Sequence, residues 1–259
     1  MAQLDYLLHL ADNAVVLGQR NGEWCGHGPV LEEDIAMANI SLDLIGQARL
    51  LYQHVAHLKN DGSTEDSLAY FRDAHEFRNY TLLELPHHGA LVGYAVDNRD
   101  YAITIVRNFL YSALMALVWE KLQQSNDAQL AAIAAKSLKE VRYHLRHSHD
   151  WLVRFGDGTD ESHQRAQAAL DHLMPYTQEF WSASDFETQA AHSGAGLVAL
   201  EVKNDWDSLV DNALQAAGLQ RSSCEGFVTT GKLGVHSEHL SYVLGEMQSL
   251  ARAHPEGVW

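Results

Sequence analysis

Apolar positions along the chain recur at spacings of three and four. Leu31, Ile35, Ala38, Leu42, Ile45, Ala48, Tyr52 and Val55 keep to one helical face for roughly seven turns. Ala102, Val106, Phe109, Ala113 and Ala116 form a second stripe, whose small residues let helix axes approach closely. Leu130, Ala134, Leu138, Val141, Leu145, Ser148 and Leu152 form a third. Breaks at Asn21-Gly22, Gly26 to Pro29, Asp61 to Thr64, Ser125 to Asp127 and Gly156 to Gly158 punctuate the pattern.

These signals predict a first helix over Ala2 to Gly18 and a long one from Leu31. A helix capped by Ser63 or Thr64 then runs to Leu85, where Pro86 removes a backbone donor. Another spans Ala90 or Asn98 to Gln124, and the next ends at Gly156. Short connections between four long helices indicate an antiparallel bundle over 31–155, flanked by helices in 1–20 and 159–254. The later helices fall near 160–183, 197–217 and 236–254, with loops at Ser193 to Gly196 and Gly226 to Gly234. The fold class is all-α, and no linker, repeat or low-complexity run separates domains, so 1–259 reads as one domain.

Composition agrees with helices: 46% of residues are apolar, enough for a substantial core, and only four are proline. A formal charge of −16 repels phosphate backbones and anionic bilayers, which argues against nucleic-acid and membrane binding. Cys25 and Cys224 are expected as buried free thiols. Asp5 stands where a signal peptide carries a cation, and no apolar run reaches membrane-spanning length, so a cytoplasmic location is expected.

A four-helix bundle can hold two metals through one Glu on each of two helices and Glu-x-x-His on the others. Here the set does not close. Glu140 is followed three positions later by Tyr143, with His144 at the fourth, and Lys136 one turn earlier favours an ion-pair strip. Glu84-Leu85-Pro86-His87 matches as text, but Pro86 interrupts the shared face. Glu76 leads to Asn79, and Asn108 and Ser112 replace a mid-helix Glu. Asp43 is the one evident inward acid of its helix; an atypical di-iron or di-manganese oxidase would recruit Asp43, Glu76, Glu140, His144 and Glu120. His236, Glu238 and His239 could together hold zinc, or belong to a helix start with structural hydrogen bonds. No nucleophile elbow, P-loop or dinucleotide fingerprint accompanies them.

Several segments together resemble one family. Gly22 to His27 with Pro29 is followed by Asp34, Ala36, Ala38-Asn39-Ile40, Leu42-Asp43-Leu44 and Gly46 to Arg49. Then come Phe71-Arg72-Asp73, Lys139-Glu140, Arg142 to Arg146, Gly156 to Asp160, His236 to Leu240, Glu246-Met247-Gln248 and Trp259. In order and coverage they resemble the C subunits of phenylacetyl-CoA epoxidase, which implies a ferritin-like fold. The resemblance implies a non-catalytic structural subunit of aerobic phenylacetate catabolism, without cofactor of its own. It also implies a catalytic A subunit holding the di-iron site, a reductase with NADPH, flavin and an iron-sulfur cluster, and small accessory subunits. Whether the isolated chain forms a homodimer stays open.

Within that reading Trp24, His27, Tyr111, Trp119, Tyr143 and Trp151, together with His236, Glu238 and His239, are candidate partner contacts; aromatic residues at helical spacing also suit the core. Glu76-Phe77-Arg78-Asn79 and Thr188-Gln189-Ala190, the latter expected in a loop, are candidate CoA or substrate contacts, Arg78 as a phosphate partner.

Overall fold

The computed structural model describes residues 2–88, 99–224 and 228–257. The helices are α1 (Ala2–Gly22), α2 (Leu31–Lys59), α3 (Glu65–Tyr70), α4 (Thr81–Glu84), α5 (Tyr101–Leu122), α6 (Ala128–Gly156), α7 (Asp160–Leu173), α8 (Gln178–Trp181), α9 (Asp185–His192), α10 (Lys203–Ala217) and α11 (Glu238–Ala253). The fold is all-α as the periodicity predicts, with no strand beyond one isolated bridge, Thr230 to Val235, among the described residues. It divides into two compact units, Met1–Leu85 with Thr230–Trp259, and Pro86–Thr229.

In the first unit, α1 and α2 form a helical hairpin. The buried face of α2 is Met37, Ile40, Leu44, Ala48, Leu51 and Val55, itself a three-four series. This corrects the predicted stripe in its first half: Leu31 is 72% exposed, Ile35 52%, Leu42 65% and Ile45 42%, whereas Ala48, Tyr52 and Val55 are buried. A long helix with apolar series on two faces covers only one of them within the chain.

The helix expected to reach Leu85 is also corrected. Thr64 caps α3 as predicted, accepting the Ser67 amide while Ser67 Oγ accepts the Thr64 amide, but α3 stops at Tyr70. A 3-10 turn at Ala74–Glu76 and the single turn α4 follow. Gln248 of α11 donates to the carbonyls of Ala69 and Arg72, satisfying the exposed end of α3. Gly234, at φ +87°, lies so near the His75 carbonyl that a Cβ would come within 2.4 Å of its oxygen.

In the second unit, α5 pairs with α6 through a short turn in which Asp127 caps α6 by accepting the Gln129 and Leu130 amides. The stripe Ala102 to Ala116 is wholly buried, and that of Leu130 to Leu152 is buried apart from half-buried Leu145. α5 begins at Tyr101 after its cap Asp100; the predicted starts at Ala90 and Asn98, like Gly226 and Trp259, lie outside the described residues. The expectation that no apolar run reaches membrane-spanning length is corrected at α5, which could cross a membrane by length and composition, but 89% of its apolar window is buried in the protein. Trp206 of α10 donates Nε1–H to the Leu110 carbonyl at 3.0 Å. At Gly156 a Cβ would sit 1.9 Å from the Ala217 carbonyl, so only glycine lets α6 and α10 approach this closely. Residues 188–190 belong to α9 rather than to a loop, and Cys25 is exposed rather than buried.

Candidate functional site

Asp12 lies in the middle of α1, flanked by Ala11 and Asn13, and is fully buried. Its carboxylate accepts from Tyr52 Oη at 2.6 Å, from the Arg72 guanidinium and from the Arg78 amide at 2.7 Å. Neighbouring Asn13 accepts the Tyr80 amide at 2.8 Å. Two backbone donors that a continuous helix would satisfy internally are thus satisfied by α1 side chains, and this is why the segment after α3 is not helical. Arg72 also donates Nε–H to the Leu68 carbonyl at 2.6 Å and lies 4.3 Å from the centre of the Phe77 ring. Burial opposes its charge, but the charge of Asp12 outweighs that and pushes its pKa up. Burial, then the Asp12 charge, pushes the Tyr52 phenol well up as well.

A second buried carboxylate, Glu84, ties the end of α4 to the start of α11. It accepts from the Ser237 amide at 2.6 Å, from Asn79 Nδ2 at 2.9 Å and from His236 Nδ1 at 2.8 Å, while His236 Nε2 lies 3.0 Å from the Phe77 carbonyl oxygen. The ring thus bridges the Glu84 carboxylate and the Phe77 carbonyl. Arg20 adds two hydrogen bonds to the Glu84 carbonyl and one to that of His239. The His236 to Leu240 segment is therefore an internal clasp: His236 and His239 side chains are buried and only Glu238 of the three is exposed. Among the described residues no three His, Cys, Asp or Glu side chains gather at metal-binding distance.

The candidate substrate segment sits in the same network. Phe77 and Asn79 are buried, and Arg78 Nη1 donates to the His75 carbonyl at 2.9 Å and to the Phe77 carbonyl at 3.3 Å. Glu76 is exposed and its Oε2 accepts the Asp73 amide, closing a capping box. Thr188 and Gln189 are exposed on α9 in the other unit, where Thr188 Oγ1 donates to the Ser184 carbonyl and Ala190 is buried.

Of the acids weighed as metal ligands, Asp43 is half-buried on α2. Glu140 lies 3.7 Å from Lys136, the ion-pair strip the sequence suggests, and His144 is buried on the same helix. Glu120 is exposed and 3.4 Å from Arg142. Glu84 and His87 do not share a face: Glu84 meets His236, whereas His87 Nδ1 lies 2.6 Å from Thr104 Oγ1 and 3.0 Å from Arg107.

The aromatic partner candidates separate cleanly. Trp24, Tyr111 and Trp119 are core residues, and burial alone pushes the Tyr111 phenol up. Tyr143 is 42% exposed, Trp151 is half-buried and His27 is exposed. The outward series Leu31, Ile35, Leu42 and Ile45 is what sequence periodicity alone misses, although a second apolar series on the same helix signals that one of the two faces solvent or a partner.

A match to the family of Phenylacetic acid catabolic proteins spans residues 1–259. The chain is also 41% identical over 254 residues to the C subunit of 1,2-phenylacetyl-CoA epoxidase from Escherichia coli (strain K12), covering 98% of each protein. With its long helical hairpins and all-α architecture, the chain belongs to the ferritin-like Phenylacetic acid catabolic protein family, as the ordered segments from Gly22 to Glu246 imply.

Proposed function

We propose that this chain is the structural, non-catalytic C subunit of a cytoplasmic phenylacetyl-CoA epoxidase and stabilises a separate di-iron A subunit. The observation that carries the reading is the exposed apolar series of α2, Leu31, Ile35, Leu42 and Ile45. Val30 extends it, and Gly46 leaves open space beside it where another helix can approach. Burying one such side chain contributes about 1.5–3 kcal/mol, more than an exposed ion pair, so a partner helix laid along this face has a substantial driving force. Family membership and the subunit name of the relative support an assembled enzyme. In such an assembly the A subunit oxygenates the aromatic ring with electrons supplied from NADPH by a flavin and iron-sulfur reductase, and small accessory subunits complete it.

An autonomous oxidase using Asp43, Glu76, Glu120, Glu140 and His144 is the weaker reading, because Glu76 and Glu120 are exposed and Glu76 closes a backbone cap.

The test is metal content and ring-oxygenating turnover of the chain alone after iron loading, then with an A subunit and reductase. Little iron and no turnover alone, with a stable active pair, is expected; two irons per isolated chain would sink the proposal. Leu42→Glu with Ile45→Glu should leave the isolated chain folded and weaken association with the A subunit by at least about 100-fold.

A further inference from the structure

The molecule is strongly acidic, yet α6 carries a marked excess of cations. Of its 18 Lys and Arg residues, five stand on α6: Lys136, Lys139, Arg142, Arg146 and Arg154. The same helix has two acids, Glu140 and Asp150, for a local formal charge of +3 within a chain of −16. At 100° per residue, Lys136, Lys139, Tyr143, Arg146, Asp150 and Arg154 fall within an arc of about 80° and extend along about 27 Å of the helix. The opposite face, Leu130 to Leu152, is the one that α6 buries.

The cations of this helix are largely uncommitted. Lys136 and Arg142 each have one acidic neighbour, Glu140 at 3.7 Å and Glu120 at 3.4 Å. Lys139, Arg146 and Arg154 are exposed and make no ion pair among the described residues. Arg146 lies 5.7 Å from the centre of the exposed Tyr143 ring, and Arg154 lies 5.1 Å from that of Trp151. Stacked guanidinium and aromatic groups are stiffer than free side chains and lose less entropy on contact, and Tyr, Trp and Arg dominate the binding energy of protein interfaces.

We propose that this face of α6, centred on Lys139, Tyr143 and Arg146, docks an acidic patch on another protein subunit. The inference rests on the reading of the chain as part of a multisubunit enzyme and adds a second, electrostatic docking surface to the apolar one of α2. An acidic protein is the occupant because charge on extended polyanions reaches the whole −16 field and is repelled, whereas a localised acidic patch meets only the local excess of cations. A small phosphate ester would need concave walls to shed its water, and an exposed helical ridge has none.

The experiment is sedimentation velocity on the full chain with the purified A subunit, the reductase and each accessory subunit of the same epoxidase, at 50 and 500 mM NaCl. Lys139→Glu with Arg146→Glu is compared with wild type and with Lys139→Gln plus Arg146→Gln. Charge reversal should weaken one of these associations by about tenfold to a hundredfold at low salt, neutralisation by less, and high salt should shrink both differences. Unchanged affinity for every subunit overturns the proposal, as does a loss confined to coenzyme A in a parallel calorimetric titration. If Leu42→Glu/Ile45→Glu breaks assembly and the α6 variant does not, only this proposal fails; if the wild-type chain binds no subunit, the subunit reading fails with it.

Discussion

A carboxyl group buried in mid-helix normally destabilises, and the acceptor sites of Asp12 are filled by Arg72, Tyr52 and the Arg78 amide. Removing one member of such a set leaves a buried charge uncompensated. Arg72→Met should therefore lower unfolding free energy by about 3–5 kcal/mol in urea titration, and adding Asp12→Asn should recover part of the loss because no lone charge remains. The sequence offers hints of this: Asp12-Asn13 interrupts an apolar helix, and Phe71-Arg72-Asp73 is among the family-like segments. What it cannot supply is the pairing, since Asp12 and Arg72 are 60 residues apart and only the folded chain shows that one explains the other. The histidines are similarly ambiguous. His236 and His239 suit zinc by spacing alone, and the buried Glu84 beside His236 is what turns them into a clasp.

Among elements, those with a single apolar face are legible. The stripes of α5 and α6 are buried as predicted, and the caps Thr64 and Asp127 sit where the loop residues place them. α2 misleads because two of its faces carry the same periodicity, and periodicity gives a helix without saying which face turns inward. The α3 helix misleads because its continuation is replaced by hydrogen bonds from another element. On α10, Asp207 pairs with Lys203 and Arg221. Burial raises the carboxyl pKa, but hydrogen bonds from Lys203 and Arg221 outweigh it and hold it below the usual range. A depressed carboxylate contributes stability that is complete above its unfolded value, about 3.9, and is lost as pH falls through the lower folded value. The melting-temperature deficit of Asp207→Asn relative to wild type should therefore be constant from about pH 5 to 8 and close below about pH 4, as thermal melts across that range will read.

For the whole molecule, the first unit is built from both ends of the chain. Glu84 and His236 meet across 152 residues of sequence, and Gln248 of α11 completes the end of α3. Deleting residues 230–259 should strip protection from α1 and α3 in hydrogen exchange while the amides of α5 and α6 keep theirs; equal loss in all four would mean that α11 supports more than its own unit. The −16 charge bears on partners rather than on folding, keeping the molecule dispersed while the α6 ridge stays locally positive. This division of the chain is not legible from the sequence, where no composition shift or linker marks Leu85 or Thr230.

The discontinuity has a consequence for biosynthesis. When the ribosome has made the first 85 residues, Glu84 has no His236 to meet and α3 has no Gln248, so the first unit cannot close. Pro86 to Thr229 is translated meanwhile, on the order of ten seconds at ordinary elongation rates, and is free to fold as a continuous block. Throughout that interval the nascent α2 hairpin waits with its apolar residues uncovered, a substrate for chaperones on one hand and for early capture by a partner chain on the other.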